Sequence, residues 1–172
     1  MDARKGAEPT TMKNRTTVER KSERELVITR TFNAPARVVF EALTRPELMK
    51  RWWVPKSTGM SLVACDMEVR VGGGYRLVFR HPAAPEPMAF YGRYIEVVPN
   101  SRLVWTNEEG GDAGQVTTVT FEERAGKTLL VWHDLYPSKE ALDEAIASES
   151  TGGWSEQFEQ LDELLVSPDA RV

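Results

Sequence analysis

The stretch Glu25–Trp53, ELVITRTFNAPARVVFEALTRPELMKRWW, decides the fold, because it sets a strand and two short helices end to end with almost no connecting chain. In Glu25–Phe32 the residues Leu26, Ile28 and Phe32 alternate with more polar neighbours, the period of a half-buried strand. Asn33 then stands where a helix cap belongs, with Pro35 in the first turn. Val38, Val39, Ala42 and Leu43 form an apolar stripe over a short helix, Arg37–Leu43. Thr44 caps a second helix with Pro46 close behind, running to Trp52 or Trp53 until Pro55 stops it. Two adjacent indoles on a helix end cannot both face one core. One ring is expected inside and the other at a cavity mouth or a dimer interface.

Downstream, the period changes to that of strands. Met60–Val71 alternates imperfectly, Gly72–Gly74 reads as a turn, and Tyr75–Arg80 sets Tyr75, Leu77 and Phe79 on one face. His81–Pro87 carries three prolines and is a loop. Met88–Val98 is a long strand of mixed parity, followed by a Pro99-Asn100 turn and a strand over Leu103–Thr106. After the acidic, Gly-rich Asn107–Gly114, the segments Gln115–Glu123 and Thr128–Tyr136 form a hairpin around Ala125–Lys127. Ser138 caps the last helical region, Lys139–Val166, in which Trp154, Phe158, Leu161 and Leu165 share one face. Gly152-Gly153 either kinks that region or separates a short, lid-like helix, Lys139–Ser148, from the packed one. The pattern predicts an α+β fold. A curved antiparallel sheet of six to seven strands wraps around a long C-terminal helix, with two short helices after the first strand.

The chain has 172 residues, which favours one domain. The reading places a disordered polar tail over 1–22, the domain over 23–166 and a short C-terminal tail over 167–172. The tail has no apolar stretch and does not read as a secretory signal. A net charge of −4 gives no basic footprint for nucleic acid or an anionic membrane. No apolar run reaches the length of a membrane span. A single cysteine, Cys65, allows no intrachain disulfide and is compatible with the cytoplasm.

Catalytic signatures are absent. The glycines of Val71–Gly74 precede Tyr-Arg, not Lys-Ser/Thr, so they read as a tight turn or bulge and not a phosphate cradle. His81, His133 and Cys65 have no metal-ligand spacing, so neither metal nor cofactor is expected. No nucleophile elbow occurs. If the chain is an enzyme, a cyclase or hydrolase acting on a hydrophobic substrate, His133 or Glu96 is the candidate acid or base. Glu122-Glu123 reads as solvated surface.

The aromatics carry the main expectation. Phe40, Trp53, Phe79, Tyr94, Trp105, Thr118, Trp132, Trp154, Phe158 and Leu161 are the candidate lining of a cavity between sheet and helix. Its few polar groups are sought among Arg30, Thr118, Tyr94 and Glu96.

These landmarks, in order, resemble a known family. They are Phe32, Ala34 and Pro35; Trp52-Trp53; Asp66, Arg70 and Gly72–Gly74; Gly92; Pro99 with Leu103, Trp105 and Thr106; Phe121; His133; and Gly153-Trp154 with Leu161. Over Glu25–Leu165 the chain resembles the START-like, or helix-grip, superfamily. Within it, it resembles the bacterial branch named after the activator of the heat-shock-protein-ninety ATPase. The resemblance implies a helix-grip fold with an internal cavity that binds a small hydrophobic molecule without catalysis. It also implies, as an alternative, a co-chaperone-like module in the stress response with a chaperone partner. A homodimer is a further expectation. The long polar N-terminal tail and the Pro-rich His81–Pro87 insertion depart from the family pattern.

Overall fold

The structure, a computed structural model, describes residues 16–108, 114–147 and 154–166. Eight strands form one antiparallel sheet: β1 Thr17–Arg20, β2 Glu25–Phe32, β3 Ser61–Met67, β4 Gly74–Arg80, β5 Met88–Val98, β6 Arg102–Asn107, β7 Gln115–Arg124 and β8 Lys127–Leu135. Their spatial order is β1-β2-β8-β7-β6-β5-β4-β3, so every neighbour from β3 to β8 is also a neighbour in sequence. The helices are α1 Ala36–Thr44, α2 Pro46–Trp52, α3 Lys139–Ala147 and α4 Trp154–Leu165, with a 3-10 turn at Lys56–Thr58. Helices and strands are segregated, the α+β arrangement expected.

Three features differ from the sequence expectation. Thr17–Arg20, assigned to a disordered tail, pairs with Leu26–Thr29 as an edge strand. It carries no buried side chain, so hydrophobic patterning gave it no signal. Its backbone pairing and the Arg20–Asp143 ion pair at 2.7 Å hold it. Second, the sheet therefore has eight strands and not six or seven. Third, the described part of the final helical region is two helices, with α4 shorter than the long C-terminal helix expected. α3 ends at Ala147 and α4 begins at Trp154; the Gly152-Gly153 pair lies outside the described residues, as do residues 1–15.

α1 buries Ala36, Val38, Val39, Phe40, Ala42 and Leu43, a face wide enough to pack on both sheet and α4. Its cap position is Pro35, not Asn33, and has no side-chain cap bond. The Ala36 amide donates instead to Glu123 Oε1 at 2.9 Å, so Glu123, read as plain solvated surface, serves as a distant cap. α2 starts with Pro46 at its first turn, where a missing N–H costs nothing. Ser138 does cap α3: its Oγ accepts from the Ala141 amide at 3.0 Å.

The core lies between the inner sheet face and α1, α2 and α4. Phe158 and Leu161 of α4 are fully buried, and Phe158 stacks edge-on to Phe32 at 5.4 Å. Trp52 is fully buried and its Nε1 donates to Ala42 O at 2.9 Å, which joins α2 to α1. Burying one such side chain is worth ~1.5–3 kcal/mol.

The glycine run serves geometry. Gly72 has φ 86°, and a Cβ on Gly73 would lie 2.0 Å from Glu68 O. Through this turn the Gly72 amide donates to Tyr94 O, and the Tyr94 amide donates to Gly73 O, so the turn anchors Tyr94.

Candidate functional site

Between the inner face of β3–β8 and the end of α2, the 54–60 loop and the start of α4 lies a cavity of about 460 Å³. That falls within the ~300–1,000 Å³ usual for small-molecule pockets. One rim is fixed by hydrogen bonds from α4. Gln160 Nε2 donates to Trp52 O and Val54 O, both at 2.9 Å, and its Oε1 accepts from the Lys56 amide. Gln157 Nε2 donates to Trp53 O, and Glu156 accepts from the amide and hydroxyl of Ser57. These contacts tie the chain after α2 to the helix and leave Trp53 facing the void while Trp52 enters the core, the division expected of that pair.

Six of the ten candidate residues stand on the cavity wall: Trp53, Phe79, Tyr94, Trp105, Trp132 and Trp154. Five of them form a connected cluster about Trp132, with ring centroids of Trp154, Trp105 and Trp53 at 4.8, 5.3 and 5.8 Å and Tyr94 joined through Trp105 at 6.2 Å, while Phe79 stands against Phe90 at 5.0 Å. The other four stand elsewhere. Phe40 is buried against Phe121 at 5.4 Å. Phe158 and Leu161 are core residues of α4, because the helix face that turns from Trp154 toward them runs from the void into the packed interior. Thr118 lies on the outer face of β7. The buried positions of that strand are Thr117, Val119 and Phe121, so it is Thr117 that reaches the cavity.

Parity also moves the candidate acid and base residues out of the site. His133 pairs in register with Thr118 on the outer face, where its Nε2 meets Glu25 Oε1 at 2.8 Å. Glu96 follows a register shift between Tyr94 and Glu96 and pairs with Arg102 at 3.0 Å on the half-exposed surface. Arg30 is buried but engages Asp162 at 2.7 Å and Thr16 Oγ1 at 2.9 Å, away from the cavity wall. Of the polar candidates only Tyr94 lines the void; burial pushes its phenol pKa well up.

The sequence reading missed the polar centre, Asp134. Thr128, Leu130, Trp132 and Asp134 occupy one face of β8, so extending the Trp132 parity by one step finds it. Asp134 is buried on the cavity wall. Its Oδ1 accepts the Thr117 hydroxyl at 2.6 Å, and Thr117 Oγ1 accepts from Asn107 Nδ2 at 2.9 Å, with Asn107 Oδ1 lying 3.2 Å from Tyr75 Oη. Tyr75 holds its place because Gly92 opposite it has no side chain and because its hydroxyl reaches Thr106 O at 2.7 Å. Burial raises the Asp134 pKa to about 6, against the Thr117 hydroxyl, the Trp132 indole and Gln115, which pull it back. The Trp132 N–H is near enough for that influence yet falls short of a hydrogen bond, and Trp132 Nε1 is buried without a partner. Tyr136, also on the wall, is pushed to about 12, by burial first and then by Asp134.

Among the described residues no cluster of His, Cys, Asp and Glu is placed to hold a metal ion. No described helix is long and apolar enough to cross a membrane.

A curved antiparallel sheet closed over by helices around an aromatic cavity defines the START-like class. The chain belongs to the family described as Activator of Hsp90 ATPase homolog 1-like protein, whose profile matches residues 33–166. It is similar in structure to a protein of Rhodobacter sphaeroides, with a TM-score of 0.79 and 26% identity over 88% of this chain and 97% of that one. It is similar also to a protein of Mycobacterium smegmatis, with a TM-score of 0.74 and 25% identity over 88% of this chain and 98% of that one. An AHSA1-like protein of Aeromonas hydrophila shares the fold at 16% identity, with a TM-score of 0.66 over 84% of this chain and 94% of that one. No curated protein matches the chain significantly.

Proposed function

We propose that this chain is a non-catalytic, helix-grip carrier or sensor that binds a small hydrophobic or aromatic molecule in the cavity. The observation that carries this reading is a void of about 460 Å³ walled by Trp53, Phe79, Tyr94, Trp105, Trp132 and Trp154. Apolar walls with a few convergent polar groups are the usual make-up of a small-molecule site. A void of this size is also costly to maintain in a core that has no use for it, since cavities weaken packing. A cytoplasmic location belongs to the same proposal and rests on the lone, buried Cys65.

The test is titration with an apolar fluorescent probe, read by quenching of tryptophan emission. One probe should bind per chain. Leu77→Trp, at a buried wall position, places a larger ring on the inner wall and should abolish binding at a cost of less than about 1 kcal/mol, because the added atoms have the void to enter. In a filled core the same change would cost ~1–3 kcal/mol. A probe that fails to bind, together with a destabilised variant, refutes the carrier reading.

The family's description favours a second reading, a co-chaperone-like module acting through its outer surface. It requires that the chain stimulate a chaperone ATPase, and that Leu77→Trp leave the stimulation intact.

A further inference from the structure

The cavity combines two features that a purely hydrophobic ligand does not use. Asp134 is a buried carboxylate on the wall, and among the described residues no lysine, arginine or histidine side chain lines the same space. None of the ion pairs formed by the described residues includes it. Thr117, itself held by the Asn107 amide, delivers one hydroxyl hydrogen to Oδ1. A carboxylate accepts about four hydrogen bonds, so this hydroxyl leaves capacity for further donors, of which the Gln115 side chain on the wall supplies one. A buried charge without a partner is costly.

The second feature is the disposition of the rings. Trp105 and Trp53 flank Trp132, the residue two positions before Asp134, and Trp105 also meets Tyr94 at 6.2 Å. Indole and phenol faces carry negative potential and attract cations, more strongly where water is excluded. Both the carboxylate and the ring faces therefore favour a positive guest and disfavour an anion.

Resting on the carrier reading above, we propose that the cavity selects amphipathic organic cations: a protonated amine whose nitrogen sits at Asp134, with its hydrocarbon or aryl body among Trp53, Trp105 and Trp132. The amine supplies the counter-charge that the described wall residues lack, and the indoles cover its apolar part.

Binding should depend on pH, because only ionised Asp134 makes the pair. The charged or titratable groups that act on Asp134 are His133, the next residue on the opposite sheet face, and Tyr136 on the cavity wall; the residues facing it in register, Thr117 of β7 and Leu26 of β2, do not titrate.

The experiment compares phenylpropylamine with its neutral and anionic counterparts, propylbenzene and phenylpropionate, by isothermal titration calorimetry on the whole chain. At about pH 7.5 the amine should bind at least about tenfold tighter than propylbenzene, a ratio in keeping with a desolvated cation on aromatic faces beside a carboxylate. Phenylpropionate should be the weakest. The amine's advantage should shrink as the pH falls below that of Asp134 ionisation. In Asp134→Asn the ratio of the two affinities should drop to within about threefold of unity. If propylbenzene binds and the amine binds no better, the cation proposal fails and the carrier reading stands. If none of the three binds, both fail. If phenylpropionate binds best, the charge argument is overturned. The wild-type series decides these outcomes without reliance on the variant's folding.

Discussion

Replacing Asp134 by asparagine removes the one carboxyl group among the described residues that folding makes less acidic, and the effect on stability follows from linkage. The folded pKa is about 6 against an ordinary 3.8. The native state thus holds a proton between these values where the unfolded chain has released it. Stability from this group is full below the unfolded value and is lost as pH rises through the folded one. The gap of about two pH units corresponds to roughly 3 kcal/mol at ~1.4 kcal/mol per unit. Between about pH 5 and pH 7.5 roughly half of that is lost, about 1.4 kcal/mol. For a chain of this size each kcal/mol moves Tm by ~2–4 °C, so wild type should melt about 3–6 °C higher at pH 5 than Asp134→Asn's own pH dependence accounts for. Asparagine keeps an acceptor for the Thr117 hydroxyl, so the comparison isolates the charge. The carboxylates of Glu25, Glu47, Glu108, Asp143 and Glu156 are all held below their ordinary values, by hydrogen bonds first, so their contributions are lost only on acidification below this window. The assay is differential scanning calorimetry of both proteins at the two pH values. Identical pH dependence in wild type and variant would refute the buried, proton-holding Asp134.

Thr117→Val removes the hydroxyl that pulls the Asp134 pKa down, so the carboxyl should titrate at higher pH, measurable by carboxyl carbon NMR. Thr118→Leu, on the outer face of the same strand, should change stability by less than about 0.5 kcal/mol and leave probe binding as it is; lost binding would show that the strand parity is wrong. Phe158→Ala empties a fully buried site and should cost ~3–5 kcal/mol in urea unfolding, whereas Trp154→Ala, at a half-buried cavity wall, should cost less. Gly92→Ala would place a methyl 1.9 Å from Thr106 O and should destabilise the sheet and displace Tyr75, visible as altered amide shifts in β4 and β6.

Much of this protein is written in local periodicity. The strand Glu25–Phe32, the paired helices that follow, the hairpin about Ala125–Lys127 and the apolar face of α4 all appear in the structure where alternation or helical spacing sets them. Each buries a regular face, and a regular face leaves a regular trace in sequence. Edge strand β1 does not: it has no buried side chain, and only its backbone partner defines it. Nor does the parity of β5 after Tyr94, where a register shift turns Glu96 outward in a way that alternation cannot reveal.

The division within the aromatic set has the same origin. Sequence by itself determined that Phe79, Trp105, Trp132, Trp154 and Phe158 lie on inward faces of sheet and helix, because composition and spacing are local properties, and it left Trp52 and Trp53 divided between the core and a cavity mouth or dimer interface. Only the tertiary structure decided which of them meet a partner and which meet a void. Phe158 contacts Phe32 and Trp52, whereas the rings about Trp132 border open space. That outcome depends on how far α4 is held from the sheet by the Gln157 and Gln160 contacts to the end of α2, residues more than a hundred positions away. The same long-range assembly buries Asp134 outside every ion pair of the described residues. Its charge is written in the chain, but its solvent exposure and partners are not, and these give the carboxylate its raised pKa.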